Sequence, residues 1–150
     1  MKKSVVLLAA VLFCLSGMAR DLGNTWVVTN DGKIDCKKVS MGYNKARIVL
    51  ENGQKEKVQF SMINSFSSNG KTFDKLPLYK DNKPTNQGAF MELIKNHGEL
   101  SLYKLAFCDL GYNQITYQYF LYKGNKQYLK LNEKSLANIC LYFGVSEDEL

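Results

Sequence analysis

ARIVLENGQKEKVQF, residues 46–60, decides the fold class. Ala46, Ile48 and Leu50 fall on one side of an extended chain, and Val58 and Phe60 share one side of the returning segment. Lys55, Lys57 and Gln59 take the other side. A period of two with apolar and charged residues alternating describes a strand with a core on one face and water on the other. Asn52-Gly53, between the two runs, accepts positive φ at both central positions of a tight turn, so the segment reads as a β-hairpin.

The same grammar extends outward. TWVVT, residues 25–29, is followed by Asn30-Asp31-Gly32 and then KIDCKKV, with Ile34 and Cys36 on one face. Asn69-Gly70 separates INSFS from KTFDKL. Short strands at this spacing predict that residues 20–80 form a small curled antiparallel sheet or an SH3-like partial barrel. The polar stretch 81–88, holding Pro84 and Gly88, predicts a linker.

Residues 89–150 read as a second, α+β lobe. AFMELIKNHG, 89–98, places Phe90, Leu93 and Ile94 together, with Asn86 as a cap and Gly98 as a stop, and predicts a short helix. ELSLYKLAFC, QITYQYFLY and KQYLKL predict a three-stranded antiparallel sheet, with Gly124-Asn125 turning the last two. In NEKSLANICLYFG, residues 132–144, Leu136, Ile139, Cys140 and Phe143 recur as one helical stripe between a capping Asn132 and a terminating Gly144. The expected architecture is therefore β-rich α+β: a curled sheet, then helix, three strands and helix.

The chain opens MKKSVVLLAAVLFCLSGMAR. Lys2 and Lys3 precede an apolar run that is short for a membrane span, and Gly17 and Ala19 occupy the small-residue positions of a cut before Arg20. Residues 1–19 read as a secretory signal peptide. Phe13 stands where a lipoprotein signal needs a small residue, which argues against lipidation of Cys14. The expected location is periplasmic or extracellular, with no membrane span after cleavage. EDEL at 147–150 reads as a solvated acidic tail rather than a retention signal. About 131 residues remain, enough for one ordinary domain or two small lobes.

Charge is uneven. Residues 21–80 carry ten Lys and Arg against six acids, and residues 81–150 carry seven against eight. Acids interleave with the basic residues and the chain is read as exported, so an ordinary solvated surface is expected rather than a nucleic-acid site, with a weak preference for anionic glycans or membrane surfaces as the alternative.

The carboxylates form no facing pair of the glycosidase kind, and no phosphate loop, nucleophile elbow or zinc-protease motif occurs. Cys36, Cys108 and Cys140 match no zinc spacing, and no metal or cofactor is expected. Cys108 and Cys140 are candidates for a disulfide, while Cys36 shares the Ile34 face and reads as core. His97 is the sole histidine. It could serve Cys108 or Cys140 as a base, but in its predicted helix it equally suits the C-terminal dipole. Among the crowded aromatics, Tyr117 and Tyr119 share a face with Ile115 and Leu121 and read as buried. Tyr122 and Tyr128 lie opposite and read as exposed binding residues.

INSFSSNGKTFDKLPLY, 63–79, together with FMELIKNHGELSLYK, 90–104, resembles small uncharacterised exported proteins of Bacteroidetes-type bacteria. The resemblance implies an exported bacterial protein and carries over no catalytic or binding residue. The leading functional expectation is a non-catalytic interaction module whose ligand is an envelope protein or glycan. The rivals are a cysteine-dependent enzyme using His97 with Cys108 or Cys140, and a structural envelope protein. N-terminal sequencing of the exported chain should begin at Arg20; a lipid on Cys14 would overturn this reading.

Overall fold

The structure, a computed structural model, describes residues 24–109, 111 and 114–150. The expected signal peptide, Cys14 and the expected cut before Arg20 lie outside the described residues. Ten antiparallel strands form one unclosed sheet: β1 (Trp26–Thr29), β2 (Gly32–Met41), β3 (Lys45–Leu50), β4 (Lys55–Gln59), β5 (Ile63–Ser68), β6 (Lys71–Lys80), β7 (Lys83–His97), β8 (Leu100–Asp109), β9 (Gln114–Lys123) and β10 (Lys126–Leu131). Their spatial order is β10-β9-β8-β7-β6-β5-β1-β2-β3-β4. A single-turn 3₁₀ helix, Phe60–Met62, joins β4 to β5, and the helix α1 (Glu133–Phe143) follows β10.

The β-rich character agrees with the sequence pattern, but its arrangement differs in three places. The curled sheet or SH3-like partial barrel is not a separate body, because β5 and β6 continue directly into β7 and the rest of the sheet. Residues 81–88 are not an open linker. Asp81 and Asn82 both adopt positive φ (51° and 60°) between the paired Lys80 and Lys83, a two-residue hairpin turn that Asx residues tolerate well. Residues 89–97 are strand, the second half of the fifteen-residue β7, and not a helix. The three strands that follow are consequently the end of the ten-stranded sheet.

The helix reading failed because both faces of β7 are occupied. Phe90 packs against the core of Val27, Cys36, Val39, Ala46, Ile48, Ile63 and Phe66. Met91, its neighbour, belongs to a second core on the opposite face with Leu76, Tyr103, Leu105, Phe120 and Tyr122. A strand buried on both sides shows a run of apolar residues, which periodicity alone does not separate from a helix. The sheet curls one way around the first core, bringing Phe60 edge-on to Phe90 at 5.6 Å. It curls the other way around the second core, where the Tyr122 hydroxyl donates to the Pro77 carbonyl at 2.8 Å, linking β9 to β6.

The helix α1 occupies its expected span. Asn132 Oδ1 accepts from the Ser135 amide at 2.9 Å, the Asn132 amide donates to Ser135 Oγ, and Gly144 closes the helix at φ 62°. Phe143 is buried, and Leu136, Ile139 and Cys140 pack beside it on Leu102, Leu121 and Leu131. This third core covers the outer face of β8–β10, so both faces of that end of the sheet are buried where α1 reaches.

Burial, with a smaller contribution from Tyr79, pushes the Tyr122 hydroxyl up to about 12. A phenol held neutral in the fold stabilises it fully below the unfolded value near 10, and this stabilisation is lost as pH rises through the folded value. Thermal melts should therefore show Tm falling between about pH 10 and 12. Tyr122→Phe should flatten part of that fall, and an unchanged slope in the variant would show that Tyr122 does not contribute.

Candidate functional site

The outer ends of β8 and β9 extend beyond their neighbours. Pairing of β8 with β7 ends at Lys104–Glu92, and pairing of β9 with β10 ends at Tyr119–Leu131. Past these points the two strands pair only with each other, through Leu105–Gln118 to Asp109–Gln114. The result is a two-stranded ribbon whose β8 edge has no strand beside it among the described residues. Its side chains are unusually apolar for exposed positions. Ile115 is 62% exposed, Tyr117 52% and Phe107 47%. Cross-strand pairing places Ala106, Cys108, Ile115 and Tyr117 on one face and Phe107 with Thr116 on the other.

The base of the ribbon is fixed electrostatically. Lys104, largely buried, lies 3.6 Å from Glu92 and 5.0 Å from the Tyr117 ring centroid, and donates to the Leu150 backbone oxygen. Glu92 also pairs with Lys71 at 2.8 Å. The Tyr119 hydroxyl donates to the same Leu150 oxygen at 3.3 Å. Burial first, then the neighbouring Tyr117, Cys140 and Glu92, pushes the Tyr119 hydroxyl up. These contacts hold segment 145–150 against the sheet and leave no buried side-chain polar atom without a partner among the described residues.

The expected binding pair separates. Tyr122 is wholly buried, because the β6–β10 curl brings Pro77 over its face; it is core and cannot serve as a surface contact. Tyr128 is 68% exposed, carried outward where the β9–β10 register shifts between Gln127 and Leu129. Ile115 and Tyr117, expected to be buried, stand in the open because α1 covers their face only as far as Tyr119 and Leu121. The signal was present in strand lengths: β8 and β9 have ten residues each and β10 six, so a hairpin overhang follows.

His97 stands far from Cys108, and Cys108 and Cys140 form no disulfide. Cys36 is buried, Cys108 exposed and Cys140 half-buried, and all three are free. His97 packs on the Tyr142 and Phe143 rings at 4.5 and 5.5 Å. It pairs with Leu100 at the opposite end of β8 from Cys108, a strand separation of about 26 Å. Burial, then Glu147, raises the Cys140 thiol; burial, then Asp35 and Glu51, raises that of Cys36. Among the described residues, no cluster of three or more His, Cys, Asp or Glu is placed to hold a metal, and no helix is long and apolar enough to cross a membrane.

No family model, curated protein or solved structure matches this chain.

Modification of the folded, reduced protein by a maleimide should proceed in the order Cys108, Cys140, Cys36, with Cys36 labelled only on unfolding. Mass spectrometry after timed quenching reads the order. Early labelling of Cys36 would contradict its burial.

Proposed function

We propose that this chain is an exported, non-catalytic interaction module that docks a protein partner through the β8–β9 ribbon. The observation that carries the reading is the overhang itself: apolar side chains on both faces beside a β8 edge that no other described strand pairs with. An extended segment of a partner can add to such an edge, with backbone hydrogen bonds supplying affinity and Phe107, Ile115 and Tyr117 supplying side-chain contacts. Exposed apolar surface on a small domain marks an interaction site, and large aromatic or aliphatic anchors dominate such interfaces. Tyr128 stands near the β9–β10 turn, at the end of β10 away from the ribbon, and is a separate exposed ring. The signal-peptide pattern and the resemblance to exported bacterial proteins support the envelope as the place where the partner is met.

The test compares wild type and Ile115→Arg in cross-linked capture from the native envelope, with sedimentation run alongside. Ile115 has no core contact, so Tm should stay within a few degrees, while the partner recovered should fall about tenfold or more. Recovery of the same proteins in equal amount by both chains would end the proposal. If wild type self-associates and Ile115→Arg does not, the ribbon serves a second copy and the partner reading fails.

A further inference from the structure

The outer face of β2–β4, remote from the ribbon, carries a row of unpaired cations. Ala46, Ile48 and Val58 point inward, so Lys45, Arg47, Lys55 and Lys57 point outward, joined by Lys38 from β2. Arg47 stands directly opposite Lys57. Lys38 and Lys55 flank Val49 from either side. All five are exposed, and none makes an ion pair among the described residues. The outward positions of β3 and β4 hold no carboxylate; Glu56 lies across from Ile48 on the other face. Like charges directly opposite one another destabilise a sheet, so this arrangement works against folding unless an anion occupies it.

A second feature lies at the end of the row. Tyr43 is fully exposed at the β2–β3 turn. The turn is held by the Gly42 amide donating to the Lys45 carbonyl at 3.0 Å and the Phe60 amide donating to the Asn44 carbonyl at 3.1 Å. Tyr43, Lys45, Arg47 and Lys57 line a shallow groove of about 400 Å3. An unpacked aromatic ring on a hydrogen-bonded turn, beside cations, offers stacking to a flat apolar face and charge-assisted hydrogen bonds to acids around it.

We propose that this groove binds a linear acidic oligosaccharide, with Tyr43 stacking one sugar ring and Arg47, Lys57 and Lys45 holding the carboxylates. Cations two residues apart along a strand are spaced about 7 Å, and the row from Lys45 to Lys38 and Lys55 spans about 13 Å, long enough for flexible side chains to meet acids on several successive rings of a linear chain. A membrane surface fits less well: a single ring with partly exposed Met41 behind it gives little to insert, and interfacial binding scales with the apolar area buried.

The probe is a defined oligogalacturonate, with its methyl-esterified neutral form and phosphatidylglycerol vesicles as comparisons, titrated into the mature chain by calorimetry. The acidic oligosaccharide should bind, weakening steeply with added salt, and the neutral form should not. R47Q/K57Q should weaken binding about tenfold or more, with Tm unchanged or slightly raised as the Arg47–Lys57 repulsion is relieved, and Tyr43→Ala about fivefold or more, with Tm unchanged. Tyr43→Ala separates a sugar site from bare charge attraction. Absence of binding, or equal binding by R47Q/K57Q, would overturn the proposal and leave Lys55 and Lys57 as protection of the β4 edge. Vesicle binding that is stronger and indifferent to Tyr43 would assign the face to membranes and also overturn the proposal. Since Ile115 and the ribbon play no part in this titration, its outcome is independent of the protein-docking test.

Discussion

Two adjacent residues, Phe90 and Met91, serve different cores on opposite faces of β7, and the rest of the structure depends on that division. A sheet curled in one sense needs only one buried face per strand. Here β6 and β7 lie where the sense reverses, so both of their faces must be apolar. A slip of one residue in either strand would exchange the two sets, sending Glu92 and Lys75 to the side of Met91. Register is held by a polar pin as well. The Tyr103 hydroxyl donates to Asp74 Oδ2 at 2.7 Å, tying β8 to β6 across β7. Burial and that carboxylate hold the phenol well above the ordinary tyrosine range, so it stays a donor. On the other face Lys75 reaches across to the Phe60 and Ser61 carbonyls at 2.8 and 3.2 Å, satisfying the 3₁₀ turn that leads into β5.

Local grammar was legible where one face meets water. Asn52-Gly53 does turn β3 into β4, but only Gly53 takes positive φ, at 85°, while Asn52 Oδ1 accepts from the Gln54 amide; α1 follows its stripe and caps. The helix expected at 89–98 was not recoverable, since Phe90, Leu93 and Ile94 satisfy a helical spacing by accident of serving different cores. Gly98, read as a helix stop, is the φ 61° turn residue between β7 and β8, a role with the same sequence signature. The Tyr122 error is of another kind. Its face was assigned correctly by alternation, but which face is covered depends on how the sheet curls, a property of no single strand. Register shifts add to this: the irregularity beside Tyr128 breaks the alternation that a sequence reading must assume.

Charge is used in two opposed ways. At the base of the ribbon Lys104 is nearly buried, yet it meets Glu92, the Leu150 oxygen and the Tyr117 face, so its desolvation is offset by three partners. On β2–β4 the cations are fully hydrated and meet each other. A buried, satisfied ion pair is architecture, and an exposed row of one sign has no architectural use for its mutual repulsion beyond discouraging edge pairing. Edge protection accounts for Lys55 and Lys57 on β4, the terminal strand, but Lys45 and Arg47 lie on β3, which has partners on both sides.

The two proposed surfaces sit toward opposite ends of the strand order, separated by β7, β6, β5 and β1. Each rests on elements that the other does not touch: the ribbon on the third core and the Lys104 cluster, the basic row on the first core. Neither ligand therefore competes with the other for space, and neither site needs a conformational change in the shared strands to remain formed. A chain that holds a fixed polymer at one end and a protein at the other converts the second association into a local one, raising its effective concentration without any new contact. The double-faced strand β7 carries that arrangement, since it lies in the sheet between the two surfaces and lends one face to each of the first two cores.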